Sequence, residues 1–88
     1  MNRLLGEIRL LAYDEIPSGW MKCEGQSLDI SKYPLLYMIL GTKFGQNGKY
    51  QFSLPDLRGK APPGLVYCIA TEGRLPIVEA EEENEGII

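Results

Sequence analysis

The stretch Gln51–Lys60, QFSLPDLRGK, constrains this chain more than any other. Its apolar residues Phe52, Leu54 and Leu57 are interrupted by Pro55 and Asp56, a pair that neither a helix interior nor a central strand accommodates. Pro55 lacks a backbone donor and biases Leu54 toward an extended conformation. A strand is therefore predicted through Phe52 and Leu54, stopping at the proline. Asp56 is suited to accept nearby backbone N–H groups and so to fix a turn. Arg58 supplies a fork that fits carboxylates or carbonyls, and Gly59 tolerates a positive φ. The unit reads as a rigid extended corner with Leu54 and Leu57 inside. The plainer alternative is a surface loop holding one salt bridge.

Around that corner the chain alternates short periodic runs with turn chemistry. In Gly6–Tyr13, Ile8, Leu10 and Ala12 alternate with Glu7 and Arg9, a period of two that predicts a half-buried strand, with Leu11 breaking the polar face. Asp14–Gly19 is a turn, and Trp20–Glu24 a second strand. Glu24-Gly25-Gln26 predicts a tight turn into a return segment, Ser27–Ile30, with Gly25 at positive φ. A helix is predicted over Lys32–Leu40, with Ser31 as N-cap, Pro34 in the first turn and Gly41 at the C-terminus. Its face of Leu35, Leu36, Ile39 and Leu40 is expected in the core. Thr42–Tyr50 contains an Asn-Gly turn, and Pro62-Pro63 excludes a helix there. Leu65–Thr71 is the most strand-like segment, and its apolar residues on both faces predict a central or covered strand. The fold class expected is α+β: a small single domain with a few-stranded, mainly antiparallel sheet, one short helix and long irregular loops.

Length and charge narrow the function. At 88 residues the chain can bury only about 60% of its unfolded surface. No apolar run reaches the ~20 residues that span a bilayer, so no membrane partner is expected. The N-terminus shows no signal-peptide pattern, which places the chain in the cytoplasm when synthesised, with later incorporation into a particle left open. Five of the twelve acids lie in Glu79–Ile88, leaving seven acidic against nine basic residues in the body. The low pI therefore describes a tail and not a binding face, and no nucleic-acid partner is expected. Residues 1–78 are expected to form the domain, and 79–88 a disordered acidic tail.

Catalytic chemistry is missing. The chain has no histidine, the commonest acid–base group and metal ligand. Its serines and its two cysteines, Cys23 and Cys68, have no base, and no phosphate-binding glycine motif is present. The cysteines are expected as buried free thiols, with a disulfide as the alternative. The sequence thus predicts no enzyme, no cofactor and no metal. Trp20 is expected as a core anchor, the alternative being an exposed binding aromatic.

Taken in order, GEIRLLA, PSGWMKCEGQSL, YPLLYMILGTKFGQNG and FSLPDLRGK resemble the phage tail-collar domain. That domain occurs in short tail fibres of phages and in bacterial proteins described as microcystin-dependent. The similarity runs from about Gly6 to Lys60. The family's aromatic after P-x-G corresponds to Trp20, its C-[DEN]-G-Q turn to Cys23, Glu24, Gly25 and Gln26, and its LPDLRG signature to Leu54, Pro55, Asp56, Leu57, Arg58 and Gly59. After Lys60 the chain departs from the family: a long variable region is absent, and LVYCIATEGRLP is similar to the family's final strand. This implies a minimal collar module. Metal coordination and receptor binding, associated with the region beyond the collar core, do not carry over.

The resemblance implies a structural, oligomeric component of a phage tail, tail fibre or tail-like particle. Its expected partners are other tail or fibre proteins or a second copy of itself, as dimer or trimer. The alternative is a small cell-surface or carbohydrate recognition module that binds a surface glycan. Leu4, Leu5 and Leu11, with Leu75, Ile77 and Val78, are the expected interface, because a small core has least need of apolar residues at chain ends.

Overall fold

A computed structural model describes residues 3–76. Six elements follow in order: β1 (Ile8–Ala12), β2 (Trp20–Lys22), β3 (Ser27–Asp29), α1 (Pro34–Leu40), β4 (Gln51–Ser53) and β5 (Leu65–Ala70). They form a three-stranded sheet in the order β1-β5-β2 and a two-stranded ribbon, β3-β4, with every pairing antiparallel. The fold is α+β, as expected.

The last strand takes the centre. Ile8 pairs with Ile69 and Ala12 with Leu65 on one side, while Trp20 pairs with Ala70 on the other. Directly opposed residues share a face, so the sheet has two apolar sides. On one, Ile69, Met21 and Tyr67 pack with Leu5, Cys23, Leu28, Leu36, Phe52 and Leu54, the main core. On the other, Trp20, Cys68 and Ala70 form a smaller cluster with Leu11, Ile16 and Val66. Two covered faces explain why β5 carries apolar residues at successive positions.

The structure changes three expectations. Gly25 takes its turn (φ 76°), but β3 does not return along β2; it pairs instead with β4, Leu28 opposite Phe52. The helix begins at Pro34 and not Lys32. Tyr33 precedes a proline, which disfavours helical backbone, and sits at φ −133°, ψ 56°. The Lys32 and Tyr33 N–H groups donate to the Asp29 carbonyl, so a turn fills the place of the expected Ser31 cap. Of the predicted stripe only Leu36 is buried, and Leu35 is 51% exposed.

The third change concerns β1. Ile8 and Leu10 lie on the face toward the main core yet remain 41% and 40% exposed. A seven-residue helix and two three-residue strands are too small to extend over the outer strand. Leu11, assigned from sequence to the polar face, packs into the Trp20 cluster. The predicted tail, 79–88, lies outside the described residues, as do Ile77 and Val78.

Candidate functional site

The corner is built against the turn after β2. Leu54 N–H donates to the Gln26 carbonyl (3.0 Å), Gly25 N–H to the Pro55 carbonyl (3.2 Å) and Leu57 N–H to the Cys23 carbonyl (2.9 Å). Glu24 and Asp56 face each other in an antiparallel bridge. The Gln26 side chain closes its own turn, donating to the Lys22 carbonyl (2.8 Å) and accepting from Glu24 N–H (3.0 Å). These bonds satisfy backbone groups that no regular ladder could reach beside Pro55. Gly25 takes φ 76°, which favours glycine, and a Cβ there would also crowd that of Asp56 at 3.3 Å.

The side chains of the corner divide by exposure. Leu54 is 1% exposed and Pro55 is buried, while Leu57 is half-buried against the main core. Asp56 and Arg58 are exposed and form a two-point pair, Nε to Oδ1 at 2.9 Å and Nη2 to Oδ2 at 2.7 Å. Asp56 Oδ1 also accepts from Arg58 N–H at 3.2 Å. The Arg58 guanidinium, then its backbone N–H, hold the Asp56 carboxyl down at about 2. Both charged groups are thus committed to one another. Gly59 takes φ 81°, turning the chain away from the pair.

Trp20 anchors the minor cluster instead of the main core. It is 6% exposed, and the Arg3 and Arg9 guanidinium carbons lie 5.9 Å and 5.6 Å from its ring centroid. Lys22 Nζ stands 3.6 Å from the Tyr13 ring centroid on the same side of the sheet. Buried Nε1 of Trp20 has no hydrogen-bond partner among the described residues. Cys23 and Cys68 are buried free thiols. Burial, followed by the neighbouring Cys68, raises the Cys23 thiol to about 11, and burial raises Cys68 as well. Both are poor nucleophiles in these settings.

Of the terminal residues named as an interface, the described four, Leu4, Leu5, Leu11 and Leu75, are not brought together on one surface. Leu5 is a correction: at 4% exposure it belongs to the main core, held by its N–H donating to the Arg74 carbonyl at 2.8 Å. Leu11 is covered by the Trp20 cluster, and Leu75 is half-buried on the main core. Leu4 alone of the described candidates is exposed, at 37%. Sequence reasoning missed the exposure of Ile8, Leu10 and Leu65, because alternation assigned the first two to the interior and Leu65 opens a buried strand. A cleft of about 310 Å³ lies between the start of α1 and the Thr71–Gly73 turn, with Leu5 at its floor. Among the described residues there is no cluster of potential metal ligands and no helix long and apolar enough to cross a membrane.

The family model of the phage tail collar domain matches residues 6–62. Protein RhiB of Rhizobium leguminosarum bv. viciae is 41% identical over 44 residues, covering 47% of this chain and 20% of that protein. The chain therefore spans about a fifth of the length of that curated relative.

Proposed function

The chain belongs to the phage tail collar domain family, and from that membership we propose that it is a structural assembly module of a phage tail or tail-like particle, working through protein–protein contacts. The observation that carries this reading is how the family's signature is used. Gln26, Asp56 and Arg58 spend their polar atoms on the fold itself, bonding one another and nearby backbone. These bonds support a scaffolding role for the signature. What the described surface offers instead is apolar: Leu4, Ile8, Leu10, Leu35, Met38 and Leu65 are all more than a third exposed. Of these, Ile8, Leu10 and Leu65 share one face of the β1–β5 pair, and a contiguous exposed apolar strip of that kind supports contact with another protein.

The incorporation of the module into a particle follows from the same reading, as do tail or fibre proteins as partners. Sedimentation analysis at micromolar concentration, with and without tail and fibre proteins from the same particle, tests it. Association is the expected result. A chain that stays strictly monomeric with every such protein, yet binds a surface glycan on an array, would establish the recognition module in its place.

A further inference from the structure

We propose that the outer edge of β1 is a self-association surface, where a second copy of this chain adds its own β1 antiparallel to extend the sheet. The proposal rests on the assembly reading and names the partner and the surface.

Tyr13 N–H donates to the Gly64 carbonyl, and Ala70 N–H donates to the Glu7 carbonyl. With Ile8 opposite Ile69 and Ala12 opposite Leu65, these bonds make residues 7, 9, 11 and 13 the hydrogen-bonded partners of β5. The backbone groups of Ile8, Leu10 and Ala12 therefore point to the open side of the sheet. No described strand pairs there, since β1 is the first strand of the order β1-β5-β2. The same three residues put side chains on the incompletely covered face, where Ile8, Leu10 and Leu65 are exposed. Among the described residues, Ile8 and Leu10 leave both backbone groups unpaired and Ala12 leaves its N–H, its carbonyl accepting from Glu15 N–H at 3.0 Å. Such a row is matched in chemistry by another strand, and monomers usually guard it with charged side chains, proline or a bulge. The strand IRLLA has no proline or bulge, and its one charge, Arg9, is paired with Glu7 and lies over the Trp20 ring on the opposite face. The opposite edge, β2, is three residues long and ends in Lys22, so it is guarded.

The register selects a second copy. Hydrogen-bonded pairs across a two-fold axis must be drawn from Ile8, Leu10 and Ala12, which permits five alignments. The two that pair Ala12 with Ala12 or with Leu10 run past the end of β1 into the turn where Glu15 N–H donates to the Ala12 carbonyl. Pairing Ile8 with Leu10 of the second copy would set Arg9 against Arg9, like charges directly opposed. Pairing Ile8 with Ile8 would bring Leu10 opposite Gly6, where the chain has already turned (φ 84°, Glu7 N–H donating to the Leu4 carbonyl). Pairing Leu10 with Leu10 overlaps the whole strand. It sets Ile8 against Ala12 and Arg9 against Leu11, and leaves the Glu7–Arg9 ion pair intact. It forms about four backbone hydrogen bonds between otherwise unpaired groups, with two more to the Ala12 carbonyl shared with Glu15 N–H. Leu10 and Ile8 of both copies then meet on one face, an isologous contact that closes at two.

Cysteine cross-linking reads this register directly. Opposed residues of a hydrogen-bonded pair have Cα atoms about 5.5 Å apart, within disulfide range. Under mild oxidation Leu10→Cys should give a covalent dimer. Ile8→Cys should not, because its two copies stand about 14 Å apart at ~3.4 Å per residue. The double substitution Ile8→Cys with Ala12→Cys should cross-link again. Leu10→Lys should abolish the doubled mass and melt where the wild type melts at dilutions that leave it monomeric, since Leu10 is exposed and only the associated wild type is stabilised by mass action. Association that survives Leu10→Lys, with no Leu10→Cys dimer, would overturn this surface and leave the assembly reading standing. A wild-type chain that is monomeric by itself, or whose Ile8, Leu10 and Ala12 amides are exchange-protected in a monomer, would overturn self-pairing as well. Failure to associate with tail proteins, together with glycan binding, would overturn the assembly reading itself.

Discussion

Truncating Leu54 tests whether the corner holds the fold. Leu54 is 1% exposed and packs with Phe52, Leu36, Leu28 and Cys23. Leu54→Ala removes three carbons, worth about 2.4 kcal/mol at ~0.8 kcal/mol each. The rigid corner limits collapse, because Pro55 follows and the Leu54, Leu57 and Gly25 N–H bonds pin both sides. A residual cavity of ~40 Å³ at ~24 cal/mol per Å³ adds about 1 kcal/mol. The expected loss is therefore about 3–4 kcal/mol. For a domain of this length that is a large share of a total stability of roughly 4–13 kcal/mol. The melting temperature should fall by about 12–30 °C. Urea unfolding followed by the fluorescence of Trp20, the single tryptophan, measures it at constant m. Leu57→Ala, at a half-buried position, should cost about half as much. A loss below about 1 kcal/mol for Leu54→Ala, with m unchanged, would refute the idea that the corner is structural.

Asp56 has a folded pKa held near 2, below its ordinary value, so its pair with Arg58 contributes above about pH 4. That contribution should be lost as pH falls from about 4 through 2, and Asp56→Asn should remove this part of the pH dependence in a melting series. Gly25→Ala should destabilise by about 1–2 kcal/mol, from φ 76° and crowding against Asp56; denaturant titration measures it. The Cys23 and Cys68 thiols should resist a thiol reagent until the chain unfolds. Because Cys23 is raised to about 11, stability should fall as pH rises from about 8.5 through 11, a slope that Cys23→Ala should reduce. Removing Glu79–Ile88 should leave the melting temperature unchanged, as its run of glutamates lacks apolar periodicity. Amide protection within Glu81–Glu85 would show the opposite.

The corner was legible because its information is local. Pro55, Asp56 and Gly59 each restrict the backbone by their own covalent chemistry, so a strand end, a turn and a positive φ follow from residue identity. The same holds for Gly25 and for the apolar density of β5, which only a strand covered on both faces would carry. The helix start was also present in the sequence, in the restriction that Pro34 places on Tyr33. Pairing was not legible. Nothing within Ser27–Asp29 distinguishes a return along β2 from a ribbon with β4, a choice made by Leu28 reaching Phe52. Nor could alternation in β1 say which side would be covered. A period of two states that the faces differ, whereas burial depends on how far α1 and the ribbon extend across the sheet. Those elements stop short of the outer strand, leaving Ile8 and Leu10 exposed and Leu11 beneath Trp20. Coverage is a property of the assembled layers, and only the tertiary structure decides it.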